Sequence, residues 1–512
     1  MTAATADPSD GYVGNDRLLF GIILGVLAFW LFAQTTLNIA STMATDLGVE
    51  MSVMNIAVSI TALFSGIFIV VVGGAADRIG RVKVVQAGFV LGIVGSIFVG
   101  FAPAGALATP SLMIGRISQG LSAACIMPAS LALVKAYWQG PARQRAVSLW
   151  SIGSWGGSGF AALFGGLMAA NVGWRWIFFA SAVVSVIGML LVRGTPESRV
   201  GADRPYRLDG RGIAAFMVAM IALQVLLTQG SRLGWTSPTS LALLVVAVVV
   251  GIAFVRVELG NPDAFVDFRL FRNLTYSGAT LSNLLLNAVA GIIIVAMTLV
   301  QIGGGMSAQE AGLLTLGYAI AIVLFIRVGE KLLQRFGARR PMIWGSLIVA
   351  VSILLLMPTN LLLGTYQILA FVAFTLFGIG LGFYATPSTD AALSNLPDEQ
   401  AGSGSGIYKM ASSLGASFGV AISATIFTAL SADLGGLGNW LDGVITFLGR
   451  QDNLAVRQAA FFAFAVNLLM IVGAIVSILL LIPNGRSRSE TASTARPRAE
   501  AAARSDPADL RS

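Results

Sequence analysis

The chain has 512 residues, of which 56% are hydrophobic and only 11% are charged, and its mean hydropathy is +0.83. Soluble domains carry about 25% charged residues, so this composition excludes a soluble enzyme and indicates a protein whose solvent is lipid. Histidine is absent and Cys125 is the single cysteine. We therefore expect no metal site, no Cys–His catalytic pair and no intrachain disulfide.

Apolar runs of helical length predict an all-α polytopic membrane protein with about fourteen transmembrane helices. We number these spans in chain order and place their ends to within about three residues. The predicted spans are residues 17–40, 53–76, 84–102, 110–136, 146–170, 174–193, 211–229, 237–255, 275–301, 308–329, 340–357, 363–395, 402–430 and 460–482.

The net charge of +8 comes from 32 Lys and Arg against 24 Asp and Glu. In a soluble protein such an excess is typical of nucleic-acid binding, but in a membrane protein it is first a topology signal. With a cytoplasmic N-terminus, most basic residues fall on the inside. Outside segments then hold only Arg175, Arg232, Arg450 and Arg457, while Arg116, Arg327 and Lys409 fall within spans. This asymmetry predicts a multi-pass cytoplasmic-membrane protein with both termini cytoplasmic and no nucleic-acid partner.

The segments at and between the spans differ in composition. Residues 1–16 lack the basic region of a cleavable signal, so span 1 is expected to remain. The tail 483–512 cannot bury a core and is expected to be disordered. In the outer loop 431–458, Trp440, Val444 and Phe447 have helix-like spacing. This loop either lies along the membrane surface or is passive.

An internal repeat organises the spans. The run GGAADRIGRVK from Gly73 to Lys83 follows span 2, and QRFGARR from Gln334 to Arg340 follows span 10. Both place Arg-x-Gly on a basic turn, which predicts two six-helix halves around a midplane cavity, as in alternating-access transporters. The predicted organisation is an N-terminal tail (1–16), an N-terminal bundle (17–193), a linker with two inserted helices (194–274), a C-terminal bundle (275–482) and a C-terminal tail (483–512).

Several motifs resemble those of the major facilitator superfamily. The Gly73–Lys83 run resembles its loop motif, GRISQGLSAA from Gly115 resembles its intramembrane Arg motif, and the glycines of span 5 resemble its antiporter motif. GWRWIF from Gly173 is similar to the fourteen-span drug:proton antiporters. The phrases NIAVSITALFSG, SIGSWGGSG, YATPSTD and GIYKMASSLG resemble the NorB-type quinolone and multidrug exporters, over nearly all of the chain except the tails.

This resemblance implies a monomeric carrier without a cofactor. Such a carrier uses the proton gradient to export small hydrophobic or amphiphilic molecules, with membrane lipids as its other partners.

The chain departs from the family's motifs in two places. The antiporter motif commonly has Gly-Pro before its final Gly-Gly, whereas Ala161 and Ala162 stand in that region here. Many relatives carry an acid in span 1, and this chain has none there, which leaves the proton site open.

Glycines and charges around two motifs are the predicted gating residues. Asp77 follows span 2 and is expected to cap a helix N-terminus or to pair with an Arg of a neighbouring segment, holding the halves together. Glycines permit tight turns and close helix packing. The alternatives are a solvated basic turn and packing without gating. The candidates are Gly73, Asp77, Arg78, Gly80, Arg81, Gly157, Gly165 and Gly166.

Ionisable residues inside the spans are the predicted proton-coupling residues. Asp390 and Lys409 lie at comparable depths in spans 12 and 13, and a carboxylate beside an ammonium can hold or lose its proton as a cavity changes between wet and dry. A fixed structural ion pair is the alternative. Arg116 in span 4 is expected to face a cavity or a partner. Glu330 is the second candidate acid, although Arg327 at i−3 can neutralise it.

Polar side chains within otherwise apolar spans are the candidate substrate ligands, because drug-sized cavities are mostly apolar with a few polar groups. Hydrogen bonding between helices is the alternative for each of them. They are Gln34, Asn38, Gln119, Asn283, Asn287, Tyr318 and Tyr384.

Three classes of function remain. A proton-driven exporter of drugs comes first, and a carrier for a specific metabolite or lipid-linked solute, working as importer or exporter, comes second. A membrane-embedded enzyme or a receptor comes third, because no nucleophile–base constellation is visible. ATP is disfavoured as the energy source, since no Gly-x4-Gly-Lys-Ser/Thr loop occurs.

Overall fold

The computed structural model describes residues 12–199, 209–261, 266, 268–432, 443–449 and 452–484, and these residues form helices without any strand. Thirteen helices are long and apolar enough to cross a membrane. Span 5 completes the predicted set as a continuous helical run in three segments. The helices are Asp16–Leu27 with Thr36–Leu47 (span 1), Met51–Ile79 (span 2), Arg81–Gly100 (span 3), Ala108–Tyr137 (span 4), Gly140–Ser151 with Gly157–Asn171 (span 5), Arg175–Val192 (span 6), Gly210–Leu233 (span 7), Pro238–Gly260 (span 8), Leu274–Ala288 with Gly291–Thr298 (span 9), Ala308–Leu313 with Leu316–Phe336 (span 10), Arg339–Leu356 (span 11), Leu363–Ser394 (span 12), Ala401–Ala432 (span 13) and Leu454–Leu481 (span 14).

The predicted all-helical membrane fold is confirmed, but several helices extend beyond their apolar runs. Span 1 continues to Leu47, span 10 continues to Phe336, and span 14 begins at Leu454. The added turns carry polar or charged residues, which end an apolar run without ending a helix. The tail from residue 485 and residues 433–442 of the outer loop lie outside the described residues.

Side-chain caps mark the starts of spans 1 and 10. The side chain of Asn15 accepts a hydrogen bond from the backbone N–H of Leu18 at 2.9 Å and caps span 1. Ser307 and Glu310 form a capping box at the start of span 10. Such caps satisfy backbone N–H groups that have no partner within the helix.

Short π-helical segments occur in three spans. Ala28–Ala33 interrupts span 1, Ile152–Gly156 interrupts span 5, and Leu299–Gly303 ends span 9. A π turn leaves backbone carbonyls out of the regular ladder and bends a helix, often at a functional site. Span 5 therefore contains an irregular turn although it lacks the proline that the antiporter motif commonly has.

Glycine contacts of the same kind hold together corresponding spans in the two bundles. A Cβ built on Gly95 of span 3 would lie 2.7 Å from the carbonyl oxygen of Gly115 of span 4. In the second bundle, a Cβ on Gly345 of span 11 would lie 2.5 Å from the carbonyl oxygen of Gly380 of span 12. Helices in lipid approach this closely only where both residues are small. The shared contact supports the repeat that was predicted from the basic turns.

The two inserted spans pack beside spans 2 and 13. Spans 7 and 8 contact each other, with the rings of Phe216 and Phe254 5.4 Å apart. Span 7 also contacts both bundles, and the Gln224 amide donates a hydrogen bond to Ser417 Oγ of span 13 at 3.2 Å. Val245 and Val249 on the other side of span 8 are exposed, as expected for a surface that faces lipid.

Candidate functional site: the interface between the bundles

The bundles meet most closely where spans 2 and 13 cross, near the end of the molecule that carries Arg81, Arg143 and Lys135, which we call the basic end. A Cβ on Gly73 would lie 2.5 Å from the carbonyl oxygen of Gly402, and a Cβ on Gly402 would clash with the carbonyl oxygen of Gly73. The two helices therefore touch through their backbones. This contact needs glycine in both places.

Asp77 joins the bundles through the first turn of span 13. Its carboxylate oxygens accept hydrogen bonds from the backbone N–H of Gly402 at 2.8 and 2.9 Å and of Ser403 at 3.1 Å. The Arg81 guanidinium donates to Asp77 Oδ1 at 2.8 Å and to the carbonyl oxygen of Asp398 at 2.6 Å. A helix N-terminus attracts a carboxylate. Asp77 therefore makes the predicted cap between the bundles, and its Arg partner, predicted as the alternative, is Arg81 of its own bundle.

The turn between spans 2 and 3 is fixed by the linker. Gly80 has a φ of +128°, which suits glycine, and a Cβ there would meet the Glu197 carboxyl group. Glu197 accepts hydrogen bonds from the N–H groups of Val82 at 2.9 Å and Lys83 at 3.1 Å, capping span 3. Arg78 is exposed. The equivalent turn in the other half has Gly337 with a φ of +73°.

Two more ion pairs cross between the bundles at the basic end. Lys135 of span 4 pairs with Asp398 at 2.6 Å, and Arg143 of span 5 pairs with Asp390 of span 12 at 3.1 Å. Arg143 also donates to Ser394 Oγ at 2.6 Å. We call these pairs, together with the Asp77 cap and the Gly73–Gly402 contact, the basic-end seal.

The expected pairing of Asp390 with Lys409 is wrong. Asp390 pairs with Arg143, and its side chain is 7% exposed. Sequence spacing gave the depth of each residue along its helix, but it did not give the direction in which each side chain points. The start of span 5 packs against span 12 at this level, and it brings Arg143 to the carboxylate instead.

Lys409 lies against an aromatic ring. Its ammonium nitrogen is 4.4 Å from the ring centroid of Trp150 of span 5 and 6.0 Å from that of Tyr408. Trp150 is fully buried, and its Nε1–H donates to Ser130 Oγ at 2.9 Å. Within the part of the chain that the structure describes, no residue forms an ion pair or a hydrogen bond with this ammonium.

Arg116 is fully buried within the N-terminal bundle. It donates to the carbonyl oxygens of Ala57 at 3.0 Å and Ala33 at 2.8 Å, and to Gln119 Oε1 at 2.7 Å. Ala33 ends the π segment of span 1, so Arg116 binds backbone where that helix is irregular. Gln119 in turn contacts Ser96 Oγ at 3.4 Å. Arg116 and Gln119 thus join spans 1, 2, 3 and 4.

Glu330 has its own partners in span 10. It pairs with Arg327 at i−3 and accepts a hydrogen bond from Gln334 at 3.3 Å. The neutralisation that the sequence suggested for this pair is present.

Two predicted ligand residues of the C-terminal bundle, Asn283 and Tyr384, are hydrogen-bonded to neighbouring helices, and Asn287 is bonded within its own helix. Asn283 donates to the carbonyl oxygen of Tyr408 at 2.9 Å and to Ser412 Oγ at 2.6 Å, and Asn287 donates back to Asn283. The Tyr384 hydroxyl lies 2.7 Å from Ser282 Oγ. These contacts agree with the alternative to a ligand role, in which such polar residues form hydrogen bonds between helices.

The remaining ligand candidates are Gln34, Tyr318 and Asn38. Gln34, at the end of the π segment, is half-buried, and Tyr318 is half-buried with its ring 5.4 Å from that of Phe377. The side chain of Asn38 lies outside the described residues. The Tyr318 side chain is hydrogen-bonded to Ser158 of span 5, and a ligand role for Gln34, Asn38 and Tyr318 stays a prediction.

The glycines of span 5 pack in different directions. Gly157 and Gly165 face span 1, at Trp30 and Thr35, whereas nothing lies near Gly166. Gly156 and Gly159 face span 10 of the other bundle: a Cβ on Gly156 would lie 2.7 Å from Val323. Span 5 therefore contacts both bundles, but the predicted Gly157 and Gly165 pack within their own.

Contacts between the bundles weaken away from the basic end. On span 13, Gly402 and Gly406 contact span 2, and a Cβ on Gly66 would lie 3.7 Å from Ser413 Oγ. Further along, Gly415 and Gly419 of span 13 pack instead on Leu284 and Ala288 of span 9. Spans 2 and 13 are thus joined most closely at the basic end, while Gly156 and Gly159 of span 5 contact span 10 further along.

Three residues of this site are not predicted by the sequence. They are Arg143, Trp150 and Glu197. Arg143 lies on the same helix as the span 5 glycines, which is the one signal that could have suggested a role at the interface.

Two helical bundles joined at one end by pairs of charged residues are typical of membrane transporters. The family model described as "Major Facilitator Superfamily" matches residues 18–301 and again 279–508. The chain belongs to this family.

Characterised relatives are close over most of the chain. It is 44% identical over 445 residues to the "Quinolone resistance protein NorB" of Staphylococcus aureus (strain MRSA252), covering 85% of this chain and 95% of that protein. For the NorB of S. aureus (strain bovine RF122 / ET3-1), the identity is 43% over 474 residues, covering 93% and 97%.

Solved structures share the fold at low sequence identity. The proton:xylose symporter XylE bound to 6-bromo-6-deoxy-D-glucose superposes with a TM-score of 0.62 at 16% identity, covering 92% of this chain and 96% of XylE. The human organic anion transporter MFSD10 (TETRAN) gives a TM-score of 0.55 at 16% identity, covering 90% and 98%. These likenesses concern the fold alone.

Proposed function

We propose that the protein is a secondary active transporter that exports hydrophobic or amphiphilic drugs, including quinolones, in exchange for protons across the cytoplasmic membrane. The observation that carries the proposal is the basic-end seal, in which carboxylates join two separate bundles. The quinolone-resistance relatives support the substrate class. The charge asymmetry supports a cytoplasmic basic end and cytoplasmic termini.

In this mechanism, the described conformation is closed towards the cytoplasm. To admit a drug from that side, the bundles must separate at the seal, which breaks the Asp77 cap and the Asp390–Arg143 pair. Alternating access of this kind moves one bundle against the other around a fixed site. The contacts of Gly402 with both Gly73 and Asp77 make span 13 the element that must move away from span 2.

Proton coupling is assigned to Asp390, acting through Arg143. A protonated Asp390 has no charge to attract the guanidinium, so proton binding weakens one link between spans 5 and 12. A proton taken from the outside would thus favour opening towards the cytoplasm. Asp77 would remain on its helix N-terminus until the bundles part. No cofactor is required in this scheme, because the proton gradient supplies the energy.

The test is drug accumulation in cells. Expression is expected to lower the accumulation of a fluoroquinolone, and a protonophore should restore it. ATP depletion with the proton gradient clamped should leave export intact. Export that follows ATP, or uptake in place of export, would contradict the proposal; uptake would instead favour a metabolite carrier.

A further inference from the structure

The charged residues of the interface leave one cation without an acid. In the described spans, Asp77 pairs with Arg81, Asp390 pairs with Arg143, and Glu330 pairs with Arg327. Lys409 is 5% exposed and faces Trp150 instead of a carboxylate. We infer that Lys409 is the anchor for a carboxylate on an aromatic or amphiphilic substrate, an inference that rests on the proposed export function.

The partner of Lys409 is an aromatic ring and not an acid. An aromatic face attracts an ammonium but contributes no opposite charge, so no described carboxylate neutralises Lys409. Trp150 is held in place through its hydrogen bond to Ser130 Oγ. An ammonium in a membrane-length helix is costly unless it meets a partner or water. A bound carboxylate would supply the missing opposite charge.

The position of Lys409 suits a ligand that contacts both bundles. Lys409 belongs to span 13, while Trp150 belongs to span 5 of the other bundle. Lys409 lies seven positions along its helix from Gly402, or roughly 10 Å, and Trp150 lies equally far from Arg143. The pair is therefore next to the seal and joins the two bundles. A ligand held there would touch both.

Among the described residues, Arg116 also has no acid partner, and its buried Nη2 has no hydrogen-bond partner, but it lies within the N-terminal bundle and not at the interface between the bundles. Its guanidinium already donates to Ala33, Ala57 and Gln119 within one bundle. Lys409 makes no such bonds. The Trp150 and Tyr408 rings beside it are buried in this conformation, and an aromatic ligand would reach them once the bundles separate at the seal. The charge and the rings together predict selection of aromatic carboxylates, including zwitterions, over permanent cations.

The experiment compares a fluoroquinolone that has a free carboxylate with its methyl ester, in inside-out vesicles under an imposed proton gradient. K409Q should raise the half-saturating concentration of the acid by at least about tenfold, as expected when a desolvated charge pair loses one partner. Transport of the ester should be unchanged. K409R keeps the charge and should retain most transport of the acid. K331Q, the same substitution at an exposed lysine of span 10, is the matched control.

If K409Q loses transport of the acid and of the ester equally, Lys409 acts in folding or coupling, and the inference is overturned. Unchanged transport of both compounds would overturn it as well. A wild-type protein that exports neither compound contradicts the proposed function itself. In that case, binding of the two compounds to purified protein decides the inference. Tighter binding of the acid that K409Q abolishes would support it, and equal binding would overturn it.

Discussion

Asp77 concentrates more contacts between the bundles than any other single side chain we describe. One carboxylate accepts two backbone N–H groups of span 13 and holds the Arg81 guanidinium, and only 4% of this side chain is exposed. Because a buried charge that loses its partner is strongly destabilising, the function of this residue can be tested by removing its charge while keeping its size.

Asp77→Asn should reduce transport by more than about tenfold while the protein still folds, inserts and binds drug. Breaking a buried pair costs about 3–5 kcal/mol, which is ample for such a change. Vesicle transport and drug binding are the measurements. Asp16→Asn, which removes an exposed pair with Arg145, should behave as wild type. Normal transport by Asp77→Asn would show that the Gly73–Lys83 motif contributes to membrane topology and not to transport.

Asp390→Asn should bind drug but lose transport driven by a pH gradient, because the amide side chain of the variant cannot exchange a proton or attract Arg143 by charge. The measurement is the rate of drug transport as a function of the imposed gradient. Glu330→Gln is the control, since its partners belong to span 10 alone. If Asp390→Asn remains proton-coupled at the normal rate, the assignment is wrong and Glu330 becomes the next candidate.

At the scale of elements, glycines determine which helices can touch. Span 2 reaches span 13 through Gly73 and Gly402, and span 5 reaches span 10 through Gly156 and Gly159. The same residue type at Gly166 of span 5 faces open space. A glycine-rich helix in the sequence therefore does not reveal which of its glycines carry a contact between bundles.

Gly402→Ala should open the basic-end seal, because its Cβ would clash with the Gly73 carbonyl oxygen and approach Asp77 Oδ1 to 2.8 Å. Overpacking of this kind costs about 1–3 kcal/mol. We expect a lower thermal midpoint and slower transport. Gly166→Ala, with nothing within 4 Å of its Cβ, is the control. Equal behaviour of the two variants would show that the close contact is not needed.

The sequence predicted the elements well and their side-chain partners poorly. Apolar runs located the thirteen helices that are long and apolar enough to cross a membrane, together with the segmented span 5. The motif around Asp77 predicted a cap or an Arg pair, and Asp77 makes both contacts. Asp390 and Lys409 show the limit: their depths follow from helix rise, but their partners depend on how spans 5, 12 and 13 are rotated, which no run of apolar residues encodes. The partners of Asn283 and Tyr384 were hidden for the same reason.

At the scale of the whole molecule, the asymmetry of basic residues predicts the orientation in the membrane. In a Cys125→Ser background, Leu107→Cys in the exposed turn before span 4 should be labelled from outside the cell. Lys331→Cys, exposed on span 10, should be labelled only from the cytoplasm. Reversed labelling would invert the topology and, with it, the direction assigned to the seal.

The central claim is exchange of drug for protons, and the most direct measurement follows both fluxes in proteoliposomes that contain only this protein. With an imposed pH gradient and no ATP, a fluoroquinolone should move against its concentration gradient while protons move down theirs, and Asp390→Asn should abolish both coupled fluxes. Drug movement that ignores the pH gradient, or that appears only when ATP is added, would contradict the account.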